Sequence, residues 1–168
     1  QIPLGSIWEP NNVKKVGSSG IESEFSMNQK LIGIKSVFFN SSSFTRTTVL
    51  ESNLENDPAI GKQAVNVPFF NSTNNVQLEF KSWRAKYSMA YKGKRYILFD
   101  NDENSALPGY WLSSFGVTKI EKLKDLDLAI DIKIANLFDK VYEIIGNTPM
   151  PGRAYYFSLT FKFKNDLT

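Results

Sequence analysis

Two stretches near the C-terminus alternate so regularly that only an extended backbone can carry them. From 155 to 163 the odd positions are Tyr155, Phe157, Leu159, Phe161 and Phe163, and the even ones are Tyr156, Ser158, Thr160 and Lys162. From 126 to 135, Leu126, Leu128, Ile130, Ile132 and Ile134 alternate with Asp127, Ala129, Asp131, Lys133 and Ala135. Side chains change face at every residue of a strand, so each stretch has one apolar face and one mostly polar face. A helix would scatter the same apolar residues around its circumference.

The same period runs upstream with less purity. Trp83, Ala85, Tyr87, Met89 and Tyr91 alternate with Arg84, Lys86, Ser88, Ala90 and Lys92. Val76, Leu78 and Phe80 share a face, as do Ile32, Ile34 and Phe38, and Ile21, Phe25 and Met27 with Ser23. The 111–122 segment reads as a strand of mixed faces and undetermined register, and 1–8 as a short strand. The expectation is about eight strands and no helix. Tight turns are expected at Asn28-Gln29, at Lys81-Ser82 and around 122–124. Longer links fall at roughly 46–66, 97–109 and 137–153. Short and long links alternate, as in an up-and-down meander with plain turns on one side and elaborated loops on the other.

Composition narrows the chemistry. Among 168 residues there is no Cys and no His. Disulfide frameworks, thiolate metal sites, cysteine nucleophiles, Ser-His-Asp triads and imidazole proton shuttles are therefore all excluded. The charge is +3, from 20 basic and 17 acidic residues, with no Lys/Arg run longer than two, so no nucleic-acid partner is expected. No stretch approaches the ~20 apolar residues of a membrane-spanning helix, yet a spanning strand needs only about 10 alternating ones.

Periodicity does not decide whether the apolar face turns inward to a core or outward to lipid. Three features favour lipid. The apolar faces run to five members in the last two strands. Aromatic residues gather near strand ends: Tyr96, Phe99, Tyr110, Trp111, Tyr142 and Tyr155 on the long-loop side, and Trp83, Phe161 and Phe163 on the other. The opposite face carries Arg84, Lys86, Lys92, Asp127, Asp131 and Lys133, which suit a wetted lumen better than a dry core.

One segment is more specific. Asn136-Leu137-Phe138-Asp139-Lys140-Val141-Tyr142, then Gly146, then Pro149-Met150-Pro151-Gly152-Arg153 and a last aromatic strand ending at Phe163, resembles the C-terminal end of TonB-dependent outer-membrane receptors. Looser likeness lies upstream, in Trp8-Glu9-Pro10-Asn11, Gly20-Ile21-Glu22, Pro68, Gly93-Lys94-Arg95-Tyr96 and Leu107-Pro108-Gly109-Tyr110. The resemblance implies an all-β, antiparallel transmembrane barrel of roughly 22 strands, of which residues 1–168 would supply about eight C-terminal strands. A plug domain and a TonB box would lie upstream of Gln1, which opens in mid-pattern and matches no signal peptide.

The implied location is the bacterial outer membrane. The implied partners are lipid, the rest of the barrel and plug, TonB, and a bulky solute taken up with energy. The solute class is ferric siderophore, haem or cobalamin, and the Trp8…Gly20-Ile21-Glu22 pattern inclines it toward cobalamin. No cofactor and no enzymatic step are implied. Such proteins commonly end on an aromatic residue read during assembly, whereas here Lys164-Asn165-Asp166-Leu167-Thr168 follows Phe163. Two other classes stay open: a complete small eight-stranded outer-membrane barrel with a structural or adhesive role, and a soluble lipocalin-like carrier.

Each motif also has a plain structural meaning. Asn136, Leu137, Phe138 and Tyr142 read as a strand-end anchor with Asn136 as a turn residue, and Pro149, Pro151, Gly152 and Arg153 as setters of loop geometry. Asp100, Asn101, Asp102 and Glu103, with Asn104, form an oxygen-rich cluster that could attract Ca²⁺, but it lacks the EF-hand spacing and glycine and reads first as solvated loop. With Arg46, these residues are the candidate loop contacts to a solute. Asn40 and Asn71 match the N-x-[ST] glycosylation pattern, which carries no weight in a bacterial outer-membrane protein.

Overall fold

Alternating sequence becomes a ladder of antiparallel strands. The computed structural model describes residues 2–4 and 7–9 as backbone, and 14–164 in full. Gln1, Gly5, Ser6, residues 10–13 (with the Pro10-Asn11 of the upstream likeness) and the tail 165–168 lie outside the described residues. In chain order the strands are β1 (Ile2–Leu4), β2 (Ile7–Glu9), β3 (Lys14–Leu31), β4 (Ile34–Ser52), β5 (Phe70–Phe80), β6 (Trp83–Lys92), β7 (Tyr110–Lys122), β8 (Leu126–Ala135), β9 (Glu143–Ile145), β10 (Thr148–Pro149) and β11 (Ala154–Phe163). One 3₁₀ turn spans Glu103–Ser105. Strands β3 to β8 and β11 form a single sheet in the order β11-β8-β7-β6-β5-β4-β3. Its neighbours all follow one another along the chain once the loop hairpin β9–β10 is set aside. The expected strand over 1–8 is instead two short strands paired with each other, outside the large sheet.

The sheet is open. Its edges are β3 and β11, and they do not pair with each other. This corrects both alternatives left by the sequence, because a complete small barrel and a lipocalin-like carrier each require the first and last strands to close.

Register carries the alternation across the whole sheet. Phe157 lies opposite Ile132, Ile132 opposite Val117, Val117 opposite Ala85, and Ala85 opposite Leu78. The apolar faces of the separate strands thus merge into one. The mixed strand β7 takes its register here. Its lower end puts Lys119 and Glu121 on the apolar face, where they pair at 2.7 Å and Lys119 Nζ lies 5.3 Å from the Trp83 ring centre. A cation beside an indole at a strand end is the arrangement expected at a headgroup boundary.

Polar residues on the apolar face satisfy one another. Asn40 Nδ2 donates to Asn74 Oδ1 at 2.8 Å, and the Ser42 and Ser72 hydroxyls lie 2.9 Å apart. Internal pairing of this kind is the condition for polar groups facing hydrocarbon. It also places both N-x-[ST] matches inside strands β4 and β5.

Neither face of the sheet is covered. Phe157 is 66% and Phe163 70% exposed, and among the described residues the strictly buried apolar ones are Val49, Ala59 and Leu107. The accessible surface is 12257 Å², against about 8,400 Å² for a self-contained globule of this mass. The apolar face has no protein core beneath it. Ten-residue strands such as β8 and β11 are ~33 Å long, and at a tilt of about 40° they project the ~25 Å of an outer-membrane apolar band.

Strands β3 and β4 are far longer, at 18 and 19 residues, or about 60 Å. Their far halves therefore extend well past the ends of the ten-residue strands on the long-loop side. The turn between them corrects the expected position at Asn28-Gln29. It lies at Ile32-Gly33, with φ of 51° and 77° and Leu31 opposite Ile34. Two positive φ values in a two-residue hairpin define a twist-matched turn for which Asn-Gly is the preferred pair. Gly33 fits. Ile32 is a β-branched residue in the left-handed region and is 88% exposed, so it gains no packing for its strain. Ile32→Asn is expected to stabilise the hairpin by about 1 kcal/mol, read as a higher unfolding midpoint. An unchanged or lower midpoint would show that Ile32 makes contacts in the whole protein that compensate.

Candidate functional site

Two regions gather chemistry: a concave polar wall and a cap of three loops. The wall is the polar face. Around its hollow of about 700 Å³ stand Gln77, Arg84, Lys86, Thr118, Asp131 and Lys133, with Ser88, Ser114, Gly116, Tyr156 and Ser158. These come from β5, β6, β7, β8 and β11, so the sheet curves toward its polar face across five strands. Arg84 Nε donates to Glu79 Oε1 at 2.8 Å, and Thr118 Oγ1 donates to Asp131. Lys86 and Lys133 form no ion pair among the described residues.

The cap is built from 53–69, 93–109 and 136–153. The first loop docks on the projecting part of β4: Val49 N–H donates to Lys62 O, Gly61 N–H to Val49 O, and Ala64 N–H to Thr47 O. Asp57 organises it. Its carboxylate accepts from the Ser52 hydroxyl at 2.5 Å and from Ala59 N–H at 2.9 Å, and pairs with Lys14 Nζ at 3.0 Å. The Lys14 ammonium also sits 3.6 Å from the Phe99 ring centre, tying β3 to the second loop.

The Ser52 hydroxyl, then the Ala59 N–H, then Lys14 hold the Asp57 pKa down from 3.8 to about 2. A lowered carboxylate pKa stabilises the fold above the unfolded value, and that contribution is lost as pH falls through the folded one. Docking of 53–69 is therefore expected to loosen as pH drops from 3.8 toward 2, and Ser52→Ala should move the loosening upward in pH. Carboxyl NMR of Asp57 checks this. An identical titration in the variant would remove Ser52 from the account.

The second loop is held to the first through Asn101. Its Oδ1 accepts Gln63 N–H at 2.7 Å and its Nδ2 donates to Gln63 O at 2.9 Å, while Asn66 N–H donates to Tyr96 O. Its neighbours are equally engaged. Asp100 accepts Asp102 N–H, and Asp102 accepts from Asn104 N–H and the Ser105 hydroxyl across the 3₁₀ turn. Glu103 binds Lys94 Nζ at 2.7 Å and the Tyr96 hydroxyl at 2.7 Å. Lys94 and then Tyr96 lower the Glu103 pKa, and the same carboxylate raises that of Lys94. The oxygen-rich cluster is thus knitted into its own loop. Arg46 stands elsewhere: opposite Ser19, on the face of Ile21 and Phe44, and exposed.

Sequence reasoning missed the residue that joins the second loop to the third. Arg95 is 2% exposed, and its Nη2 donates to Glu143 O at 2.5 Å and Ile144 O at 3.0 Å. Its guanidinium lies 5.4 Å from the Tyr110 ring centre, and Tyr110 in turn packs on Tyr142 at 4.8 Å. The signal was present only as one cation in Gly93-Lys94-Arg95-Tyr96.

The 136–153 motif builds the third loop. Asn136, at φ 48°, accepts Lys140 N–H on Oδ1 and donates to Lys140 O. Leu137 N–H donates to Ser113 O, and Phe138 meets Trp111 edge-on at 5.2 Å. Asp139 Oδ1 accepts Arg153 N–H at 2.7 Å, and a Cβ at Gly152 would come within 2.7 Å of that same oxygen. Pro149 ends β10, and Pro151, beside Met150, lines a second hollow of about 430 Å³ on the polar side.

No protein-family model matches the sequence, and no curated protein matches it. Solved structures do. The ferric citrate transporter FecA in its unliganded form aligns over 90% of this chain at a TM-score of 0.76 and 15% identity, using 25% of its own length. BauA, the ferric preacinetobactin receptor of Acinetobacter baumannii, aligns over 90% of this chain at a TM-score of 0.59 and 17% identity, using 27% of its length. The chain spans about a quarter of each. At these identities the likeness is one of fold alone: an antiparallel up-and-down meander of strands.

Proposed function

We propose that the chain forms the C-terminal part of the barrel of a TonB-dependent receptor in a bacterial outer membrane, and that the receptor takes up an anionic ferric chelate. The observation that supports this best is the division of one open meander into an apolar convex face and a cationic concave face, in a fold shared with a transporter and a receptor of ferric chelates. The apolar face meets lipid, the concave face lines the lumen, and the interlocked loops form part of the outer mouth. The plug and the TonB box belong to the remainder, for which the much longer neighbours leave room.

The mechanism is binding and passage, with no covalent step. Loops tied through Asn101 and Arg95 present one preformed surface, which lowers the ordering cost of capture. The lumenal cations favour anionic solutes by long-range attraction in a confined space, which is why a ferric chelate is preferred here to cobalamin.

Cells making the whole receptor are expected to accumulate radioactive iron supplied as an anionic chelate, and to stop when TonB is deleted. Iron accumulation that persists without TonB, or accumulation of cobalamin in place of iron, would overturn the proposal.

A further inference from the structure

One hollow lies on the apolar face, outside the curve of the sheet. It holds about 500 Å³, with Phe70, Tyr91, Trp111 and Phe138 as walls and Ser72, Asn74 and Met89 as floor. The strands beneath it, β5, β6 and β7, each have both ladder neighbours in place. Further barrel strands would join at the edges β3 and β11 and leave this place open, and a plug would lie against the opposite face.

The walls are held by ring contacts. Phe70 stacks on Phe44 at 4.5 Å and meets Tyr91 at 5.8 Å, while Trp111 meets Phe138 edge-on at 5.2 Å. A preformed slot of this volume suits a small ligand. The floor is polar where the rest of the face is not. Asn74 accepts from Asn40 at 2.8 Å and donates to Ser72 at 3.3 Å. Its amide therefore keeps one N–H and one lone pair for a further partner, a capacity that is costly to leave unused against hydrocarbon.

Depth narrows the choice of partner. Ser72, Tyr91 and Trp111 form one row across the ladder, at the level of the aromatic residues on the long-loop side. Asn74 is two residues further in, about 7 Å along the strand and ~5 Å deeper at a tilt of about 40°. Lipid meets the barrel there just where an acyl chain joins its headgroup. Further out on the same face, Arg46 lies two residues beyond Phe44, which pairs with Phe70. It is exposed and forms no ion pair among the described residues.

We infer that this hollow is a binding site for lipid A, the outer-leaflet lipid whose hydroxylated acyl chains are amide-linked to a phosphorylated sugar head. An amide offers Asn74 both a donor and an acceptor, whereas the ester of a phospholipid only accepts. Arg46 supplies the charge that complements a phosphate. A second copy of this chain would bring a convex face of its own, which cannot enter a slot between rings. The inference rests on the reading of the apolar face as lipid-facing and of the long-loop side as the outer one.

Native mass spectrometry of the full receptor in detergent tests it, with lipid A, phosphatidylethanolamine and ceramide as probes. Lipid A should bind at least tenfold more tightly than either other lipid. Asn74→Leu and Arg46→Gln should each weaken lipid A about tenfold, the loss expected for one hydrogen bond or charged contact, and leave phosphatidylethanolamine unchanged. Met89→Trp fills the slot without removing a hydrogen bond. It should abolish the preference for lipid A at an unchanged unfolding temperature, and it keeps the test decisive if Asn74→Leu fails to fold. Equal binding of phosphatidylethanolamine, ceramide as tight as lipid A, an undiminished preference in the Met89→Trp variant, or receptor dimers that this variant breaks would each overturn the site. A nitroxide on Ile132→Cys, outside the hollow, reads the face itself. Relaxation by oxygen in preference to a water-soluble nickel chelate is expected. The opposite preference would sink the lipid-facing reading, and is distinct from a failure of the hollow alone.

Discussion

Ile132→Arg is expected to destabilise the proposed receptor in lipid vesicles by about 2–4 kcal/mol, and Ser158→Arg by less than about 1 kcal/mol. The two residues are near neighbours in the β8–β11 ladder, where Ile132 pairs with Phe157 and Ser158 with Asp131. They differ in face. Ile132 is 57% exposed on the apolar side, with Phe157 and Val117 beside it. An arginine there must either enter hydrocarbon or bend away at a cost in packing. At Ser158 it would enter the hollow, near the Asp131 carboxylate and in reach of water. Urea unfolding of the full receptor, refolded into vesicles, measures both. The reverse ranking would exchange the lipid and lumen faces and sink the proposed function.

Arg95→Ala should detach the third loop from the second while leaving the barrel intact. The substitution removes donors from two carbonyls, Glu143 O and Ile144 O, and takes the cation from beside Tyr110. Hydrogen bonds to a charged group contribute about 1.5–3 kcal/mol each, and a net loss near 3 kcal/mol corresponds to roughly a hundredfold in opening equilibrium. Amide hydrogen exchange reads this locally. Leu107 N–H, which bonds Arg95 O, should exchange about a hundredfold faster, while Ile132 and Phe157 in the ladder should not change. Arg95→Lys should restore protection only in part, since a single ammonium lacks the planar fork that spans both carbonyls. Unaltered exchange at Leu107 would mean that the loops hold together without the clamp. In the proposed receptor, the alanine variant should also lose solute affinity, because a surface that must be ordered on capture binds more weakly.

Legibility followed the range of the interaction. Strict alternation in 126–135 and 155–163 was readable because the faces of a strand depend on local geometry alone. The Lys81-Ser82 turn was readable for the same reason, with Lys81 at φ 53° between paired Phe80 and Trp83. The hairpin at Ile32-Gly33 was not, because Asn28 is the better turn former and isoleucine rarely takes positive φ. It is set by the long β3–β4 ladder, which runs from Lys14–Ser52 to Leu31–Ile34 with one bulge at Lys15/Val16. The extent of β4 through Thr47, Thr48 and Val49 was hidden too. Beyond β3, these residues find their other backbone partners in 61–64, a loop whose position sequence does not reveal.

The candidate loop residues show the same limit. Asp100, Asn101, Asp102 and Glu103 read as a solvated loop open to contact with a solute, since sequence displays a side chain's capacity and not its commitments. Tertiary structure engages each of them, with Asn101 bracketing Gln63 across 38 residues. Arg95 was the converse, an ordinary cation in sequence and the central tie of the loop cap in space.

What the amino-acid sequence determined by itself was the two-sided strand: which residues share a face, how long the apolar run is, and that these 168 residues supply no Cys or His. Those follow from covalent geometry and composition. Which face is concave, where the sheet stays open, how the loops interlock and which charges remain unpaired were decided only by tertiary structure. Curvature, register and ion pairing are properties of strands acting on each other, and no single strand contains them.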